Sequence, residues 1–380
     1  MPELVVVAEQ LLAAVPGGTG RYTAQLLRAL AATAPPGWTV SSVVARRPDV
    51  EAARVEGVEG PRRLPLPPRA LVAAWEVGVP LWPGGDAVHA PTPLAPPRSP
   101  RGRTLSVTVH DTVPWTHPDT LTPRGVSWHR RMIERAARRA DAVVTPTEAV
   151  ARDLAARVPL RARVRVAGHG ATDLGAPVPV PGLPPRYVLA VGTVEPRKGI
   201  DVLVEAVAEL VRSGETATDV PLLLVGQPGW GGLDPLRLAA EHGLTDGRVR
   251  LLGRLTDGEL ATVLRRADVV AVPSLAEGFG LPVLEAMAAG VPVVHTDDPA
   301  LVEVSADAAE VVPRGDARAL AAGLRRMLTD PDAAARRVTA GRARARDFSW
   351  HRAAEAVWDC HTSNGSNGLS DPGQQGDGGS

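Results

Sequence analysis

Short runs of Val, Leu and Ala alternate with longer amphipathic stretches through two successive series in this 380-residue chain. Strands covered by helices on both faces are buried on both sides, so they read as continuous apolar runs. The pattern therefore predicts β-α units wound around parallel sheets. In the first series, strands are expected at Leu4–Ala8, Thr39–Ala45, Ala87–Ala90, Leu105–His110 and Ala142–Pro146. Helices are expected there at Arg21–Ala32, Thr122–Ala140 and Thr147–Arg157. The second series gives strands at Tyr187–Val191, Pro221–Val225, Val249–Leu252, Val269–Val272 and Pro292–His295, and helices at Ile200–Arg212, Asp257–Arg266, Leu281–Ala289 and Asp316–Leu328. Between the series lies Ala176-Pro177-Val178-Pro179-Val180-Pro181-Gly182-Leu183-Pro184-Pro185, a stiff proline-rich linker. One core seldom grows past roughly 250–300 residues, which also argues for two domains. Two doubly wound domains joined this way leave a cleft between them.

Composition narrows the function. With 44% hydrophobic and 22% charged residues the chain reads as soluble and globular, and its net formal charge of zero removes a general electrostatic case for nucleic-acid binding. A single cysteine, Cys360, excludes an intrachain disulfide and points to a reducing compartment. Leu4–Ala8 lacks the basic flank of a signal peptide, and no stretch approaches the ~20 apolar residues of a membrane span. The expected location is cytoplasmic, with peripheral membrane contact left open. The Ser-, Gly-, Asp- and Gln-rich tail from residue 362 is expected to be disordered.

In open α/β sheets, ligands gather at the carboxyl ends of strands. Three polar clusters fall there. The first, Glu195-Pro196-Arg197-Lys198, follows the strand Tyr187–Val191 and holds the only lysine of the chain. Its compact ammonium suits an end-on contact with a phosphate oxygen, whereas the other cations are all forked guanidinium groups. Chance survival of one lysine in an arginine-biased sequence is the competing reading. The second cluster, Glu277-Gly278-Phe279-Gly280-Leu281-Pro282, leads into a helix whose first turns carry Glu285. Its glycines let backbone N–H groups approach a ligand, and the helix start favours a phosphate or a sugar hydroxyl. A helix-end Glu277 and a solvated Glu285 form the plainer alternative. The third cluster is His110-Asp111.

Near the N-terminus, Pro16-Gly17-Gly18-Thr19-Gly20-Arg21-Tyr22 opens a helix. Its glycine spacing is not that of a dinucleotide fingerprint. A backbone-amide loop facing the cleft and a plain turn fit it equally well.

At these residues the chain resembles the retaining glycosyltransferases of family 4. The resemblance rests on Glu195–Lys198, the Glu277–Glu285 run and the Gly17–Tyr22 segment. It is extended by Pro146-Thr147-Glu148, Val225-Gly226 with Gly229-Trp230, Leu252-Gly253-Arg254-Leu255 and Leu301-Val302-Glu303-Val304. It implies a GT-B fold, two Rossmann-like domains facing across a cleft. The implied domains are 1–175 on the acceptor side and 186–348 on the donor side, joined by linker 176–185. A C-terminal helix at 349–361 packs back on the first domain, ahead of tail 362–380. The mannosyltransferase-like branch matches best, so GDP-mannose is the favoured donor, with UDP- or dTDP-sugars behind it. Arg197 and Lys198 are expected to bind the donor diphosphate. Glu285 takes the ribose, while Glu277 and the amides of Gly278, Phe279, Gly280 and Leu281 take the sugar. Gly17 and Gly18 meet the phosphates, His110 meets the sugar, and Gly253, Leu255 and the Gly226–Trp230 loop flank the base. Gly199, and Gly168-His169-Gly170-Ala171-Thr172-Asp173, depart from the family pattern.

The expected activity is metal-independent hexosyl transfer, mannose favoured, to a glycan, lipid-linked or small-molecule hydroxyl. Neither Glu277 nor Glu285 is placed as a double-displacement nucleophile, so front-face substitution is expected. No cofactor besides the nucleotide sugar is implied. A GT-B sugar-nucleotide epimerase and a non-catalytic sugar-nucleotide-binding protein are the alternatives. Asp297-Asp298 reads as a helix cap rather than a metal pair. The segment Arg124, Arg130, Arg131, Arg135, Arg138 and Arg139 with Trp128 offers either an anionic acceptor surface or a solvated helix face. The proline-rich segment 61–100 is expected to form acceptor-side loops.

Overall fold

The computed structural model describes residues 1–214, 220–229, 231–244 and 247–362. Trp230 and tail residues 363–380 lie outside them. The strands are β1 Glu3–Val7, β2 Thr39–Val44, β3 Glu59–Arg63, β4 Ala87–Ala90, β5 Thr104–Thr108, β6 Ala142–Thr145 and β7 Arg163–Val166 in the first half, then β8 Val188–Val191, β9 Leu222–Val225, β10 Val249–Gly253, β11 Val269–Val272, β12 Val293–Thr296 and β13 Glu310–Val312. The helices are α1 Gly17–Ala32, α2 Pro68–Val77, α3 Val113–Thr116, α4 Pro123–Arg139, α5 Glu148–Arg157, α6 Ile200–Arg212, α7 Pro235–Glu241, α8 Asp257–Arg265, α9 Leu281–Ala289, α10 Pro299–Ser305, α11 Ala317–Thr329, α12 Pro331–Ala345 and α13 Trp350–Thr362.

Each half is a parallel sheet, ordered β3-β2-β1-β4-β5-β6-β7 and β10-β9-β8-β11-β12-β13. Strand alternation divides each half into two cores. Leu4 and Val6 of β1 face one apolar cluster while Val5 and Val7 face the other. In the second sheet Val188 and Ala190 oppose Leu189 in the same way. Helices begin at short polar caps: Thr147 Oγ1 accepts the Val150 N–H, and Thr256 with Glu259 forms a reciprocal capping box. Both sheets reverse winding direction beside their first strand, between β1 and β4 and between β8 and β11. These two switch points face each other across the cleft of a GT-B fold; the Glu195 and Glu277 clusters follow β8 and β11, which flank the second, and His110-Asp111 follows β5, one strand from the first.

The last helix belongs spatially to the first domain. Ala353, Ala354 and Val357 of α13 join the cluster of Leu26, Leu27 and Leu30, and Trp358 Nε1 donates to the Leu30 carbonyl at 3.3 Å. Segment 61–100 is not a set of loops. It contains the end of β3, all of α2 and β4, whose apolar residues Leu71, Trp75 and Val88 fill one core of the first sheet.

Candidate active site

Behind β8 the chain makes a tight turn at Pro196–Lys198 that closes on Gly199. Gly199 has φ 63°, and a Cβ there would stand 2.2 Å from the Pro273 carbonyl oxygen. The departure at this position is thus a backbone requirement. The turn carries Arg197 and Lys198 to the loop after β11. Lys198 Nζ lies 2.6 Å from Glu277 Oε1, and Arg197 Nη1 lies 3.6 Å from Glu277 Oε2. Arg197 also bonds Glu195 Oε1 at 2.7 Å and the Ala276 carbonyl at 2.8 Å. Ser274 Oγ completes the Glu277 shell at 2.7 Å. Burial pushes the Glu277 carboxyl up, but the Lys198 and Arg197 charges win and hold it below the usual range. Burial likewise opposes the Arg197 charge, and Glu277, Asp111 and Glu195 raise its pKa in spite of it. The four charges of this turn sum to zero, so it attracts an anion through oriented donors rather than net charge.

The glycine turn that follows supports a helix start. Gly280 caps α9 at φ 90°, where a Cβ would meet Leu301 Cδ2 at 2.3 Å. Phe279 is buried and stacks on His169 at 4.3 Å. Leu281 and Leu255 pack with the same core, and Gly253 ends β10 at φ 65° in open space. Glu285 lies in the second turn of α9, 6% exposed, and its Oε1 has no hydrogen-bond partner. Burial raises its pKa, and the Arg21 charge across the cleft pulls the other way. A buried carboxylate oxygen left open is an acceptor held ready for a ligand hydroxyl.

The two domains meet directly at this site. Thr147 Oγ1 donates to the Gly278 carbonyl at 3.1 Å, and the Gly278 backbone presses on the His110 carbonyl. Glu303 Oε1 and Oε2 accept the Glu148 and Ala149 N–H groups at 2.7 and 2.8 Å, placing an anion on the α5 N-terminus. Arg21 on α1 pairs with Asp257 at the start of α8, 2.9 Å away. The molecule is therefore in a closed arrangement.

Gly17 and Gly18 do not form a loop. They are the first turn of α1, and a Cβ at either would have nothing within 4 Å. Their N–H groups are helix-end donors, and α1 also carries Arg21 toward the second domain. His110 Nε2 lies 2.8 Å from the Pro91 carbonyl, which fixes the proton there and leaves Nδ1 as an acceptor. Burial is the main reason its pKa is lowered, against the Pro91 bond and the Asp111 charge.

The arginine-rich helix turns out to be structural. Arg124 and Arg131 pair with Glu76 at 3.3 and 2.8 Å, Arg135 bonds the Trp75 and Glu76 carbonyls, and Arg130 bonds the Pro114 carbonyl at 2.9 Å. Together they cap α2 and hold α3. Of the acidic pair, Asp298 caps α10 through the Ala300 and Leu301 N–H groups, and Asp297 bonds Arg314 at 3.0 Å. Sequence reasoning missed Ser274, three residues before Glu277 in the same loop, and also Glu303 and Asp257, since nothing local marks contacts made across the cleft. It noticed residues 168–173 only as a departure. The structure sets His169 of that segment between Phe279, Tyr22 and Trp350, with its Nδ1 buried and unpartnered.

Among the described residues no three His, Cys, Asp or Glu side chains cluster as a metal site. The family model for "Glycosyl transferases group 1" matches residues 180–344, and that for "Glycosyltransferase Family 4" matches 16–172. The chain is 40% identical over 164 residues to O-antigen chain mannosyltransferase B of Escherichia coli, across 43% of this chain and 42% of that protein. It is 39% identical over 188 residues to D-inositol 3-phosphate glycosyltransferase of Salinispora tropica, across 47% and 39%. The matches thus span about two fifths of each relative's length. The structure of Anabaena Alr3699/HepE in complex with UDP-glucose superposes with TM-score 0.69 at 19% identity, over 94% of this chain and 99% of that one.

Proposed function

We propose that this chain, a member of the GT-B glycosyltransferases, transfers a hexose from a nucleotide diphosphate sugar to an acceptor hydroxyl with retention. The observation that carries the reading is the turn that seats Arg197 and Lys198 against Glu277, directly beneath the cross-cleft contact with His110. A bound diphosphate competes with Glu277 for the Lys198 ammonium. Once released, Glu277 has a free carboxylate oxygen for sugar hydroxyls. Glu285 Oε1, buried and open, fits the ribose, and the first-turn N–H groups of Gly17 and Gly18 close on the phosphates from the opposite domain. The amides from Gly278 to Leu281 and the Nδ1 of His110 complete the sugar pocket, and Gly253 and Leu255 border the base.

Catalysis on this reading is electrostatic. Arg197 and Lys198 stabilise the charge that grows on the leaving diphosphate, so no metal is required. With Glu277 assigned to sugar hydroxyls and Glu285 to the ribose, neither serves as nucleophile on this reading, and the departing phosphate oxygen takes the acceptor proton on the same face. Mannose and a guanosine base are the favoured donor identity, supported by the likeness to a mannosyltransferase; a UDP-sugar is the alternative, since HepE holds UDP-glucose. Lipid-linked acceptors and peripheral membrane contact rest on the exposed Arg138 and Arg139 of α4, and location in the cytoplasm rests on the single free cysteine. No described helix is long and apolar enough to cross a membrane. Thermal-shift titration with GDP, UDP, dTDP and ADP tests the donor site, because a ligand at 100 times its Kd adds ~2.7 kcal/mol. If none of the four raises Tm, the donor-site assignment fails.

A further inference from the structure

Thr104, Ser106 and Thr108 occupy alternate positions of β5, so their hydroxyls share one face of the sheet. Two buried imidazoles stand between them. His361, from α13, lies 2.7 Å from Thr104 Oγ1 through Nδ1 and 2.8 Å from Ser106 Oγ through Nε2. His89, from β4, lies 2.8 Å from Ser106 Oγ through Nδ1 and 3.3 Å from Thr108 Oγ1 through Nε2. Thr108 Oγ1 is 3.0 Å from the Tyr22 hydroxyl. An unbroken series of hydrogen bonds therefore joins the last helix to the first, along about 13 Å of strand.

Counting hydrogens gives the series a direction. Tyr22 is 1% exposed and its hydroxyl has one hydrogen-bond partner among the described residues, so it donates to Thr108. The Thr108 hydrogen can then go only to His89 Nε2. A neutral imidazole carries one N–H, so His89 donates from Nδ1 to Ser106. Ser106 in turn donates to His361 Nε2, and His361 donates from Nδ1 to Thr104. No other arrangement gives every buried hydrogen an acceptor. Burial keeps both rings neutral: it drives His89 well below the usual histidine range and His361 down to about 3.

We propose that this series is proton-ordered, with His89 and His361 both held as Nδ1–H tautomers, and that through it the seating of α13 sets the position of Tyr22. The Tyr22 ring packs edge-on against His110 at 4.7 Å and, tilted by 41°, against His169 at 4.6 Å. A displaced Tyr22 moves both rings, so His361 is a positioning residue for the cleft. The tautomers are independent of any activity; the consequence for turnover rests on the sugar-transfer reading.

Nitrogen-15 NMR of the full chain labelled at histidine tests the ordering. Nδ1 protonated and Nε2 bare at both residues is expected; an Nε2–H or a cationic ring at either one overturns it. Positioning is tested by His361→Gln, which keeps one donor and one acceptor, against His361→Phe, which keeps the bulk and removes both. His110 and His169 ring signals should move in the Phe variant and stay in place in the Gln variant. Turnover should fall about tenfold in the first and under threefold in the second, with nucleotide affinity unchanged in both. If His361→Phe does not fold, Ser106→Ala breaks the series at its centre and should move the same two signals. Ring signals unmoved by the loss of the series refute the positioning role whether or not transfer is observed. Wild-type chain that transfers no sugar fails the sugar-transfer reading alone.

Discussion

A methyl group added at Gly278 should prise the two domains apart. The ideal Cβ stands 1.7 Å from the His110 carbonyl oxygen, 2.8 Å from its carbon and 3.5 Å from Asp111 Cβ. The first two are main-chain atoms, so no rotamer change relieves the clash. Ordinary carbon–oxygen contact is about 3.3 Å, so the facing loops must separate by roughly 1.5 Å. Overpacking of this kind costs about 1–3 kcal/mol. Opening also strains the Thr147 bond to the Gly278 carbonyl and the Glu303 clasp on α5. A penalty near 2 kcal/mol lowers the closed-to-open ratio roughly 30-fold. Gly278→Ala should therefore reduce kcat/KM for transfer by about 10- to 100-fold. Nucleotide affinity should change less than about threefold, because Arg197, Lys198 and Glu285 all belong to the second domain. Small-angle scattering should show a larger radius of gyration, and Tm should barely move since no apolar core is touched. Thr147→Val adds no bulk but deletes two hydrogen bonds, the one to the Gly278 carbonyl and the α5 cap to the Val150 N–H, so it should weaken closure by only about 1 kcal/mol and lower Tm slightly through the lost cap. A Gly278→Ala protein with wild-type scattering and kcat/KM within twofold refutes the closure argument.

Lys198→Ala should lower turnover by about 10²–10³ with circular dichroism unchanged and a lower Tm, because buried Glu277 keeps Arg197 and Ser274 but loses its nearest cation; near-normal turnover removes Lys198 from the diphosphate site. Arg21→Ala should cost no more than about fivefold in kcat/KM at low salt and nothing at high salt, because the Arg21–Asp257 pair is exposed on one side; a salt-independent loss points to a different role. Stability should fall on acidification. His361 titrates at about 3 in the fold and about 6.5 unfolded, so its contribution is complete above pH 6.5 and fades as pH falls toward 3, by up to ~2 kcal/mol at pH 5. Burial is the main cause, and the Arg163 charge acts in the same direction. Urea melts at pH 7 and pH 5 measure this, and the drop should shrink in His361→Phe. Chelation with EDTA should leave the transfer rate unchanged; a rate restored only by a divalent cation contradicts the electrostatic reading of Arg197 and Lys198.

Apart from the edge strand Val249–Gly253, the strands legible in the sequence are the interior ones, whose apolar runs need no context. Three were missed, and all lie at sheet edges. Glu59–Arg63 reads EGPRR, Arg163–Val166 reads RVRV, and Glu310–Val312 is three residues long. Edges carry charge and proline to discourage further pairing, which erases the signal that marks interior strands. The helix Pro331–Ala345 was missed because Arg and Ala on most of its turns leave little periodic contrast. Residues that gather at one strand end, such as Glu195 to Lys198 or Glu277 to Glu285, could be grouped from spacing alone. That Lys198 sits on Glu277, that Glu303 caps α5, or that His361 answers His89 could not, because these pairs are made by tertiary structure over long stretches of chain. The one available hint was the hydroxyl at every second position of β5, which marks a polar stripe inside an apolar sheet.

Because α13 follows the second domain yet covers α1, the polypeptide passes from one domain to the other twice, once at the linker and once near Phe348. Two passages leave relative motion little freedom beyond a swing about the line that joins them, as a door turns on a pair of pins. They also make the halves inseparable by a single cut. Cleavage in the linker leaves the first domain still clad by a helix held on the other fragment, whereas removal of residues from 349 onward strips Leu26, Leu27 and Leu30 of their cover. A truncation at the far end of the sequence should therefore unfold its beginning, and leave the donor-side sheet standing.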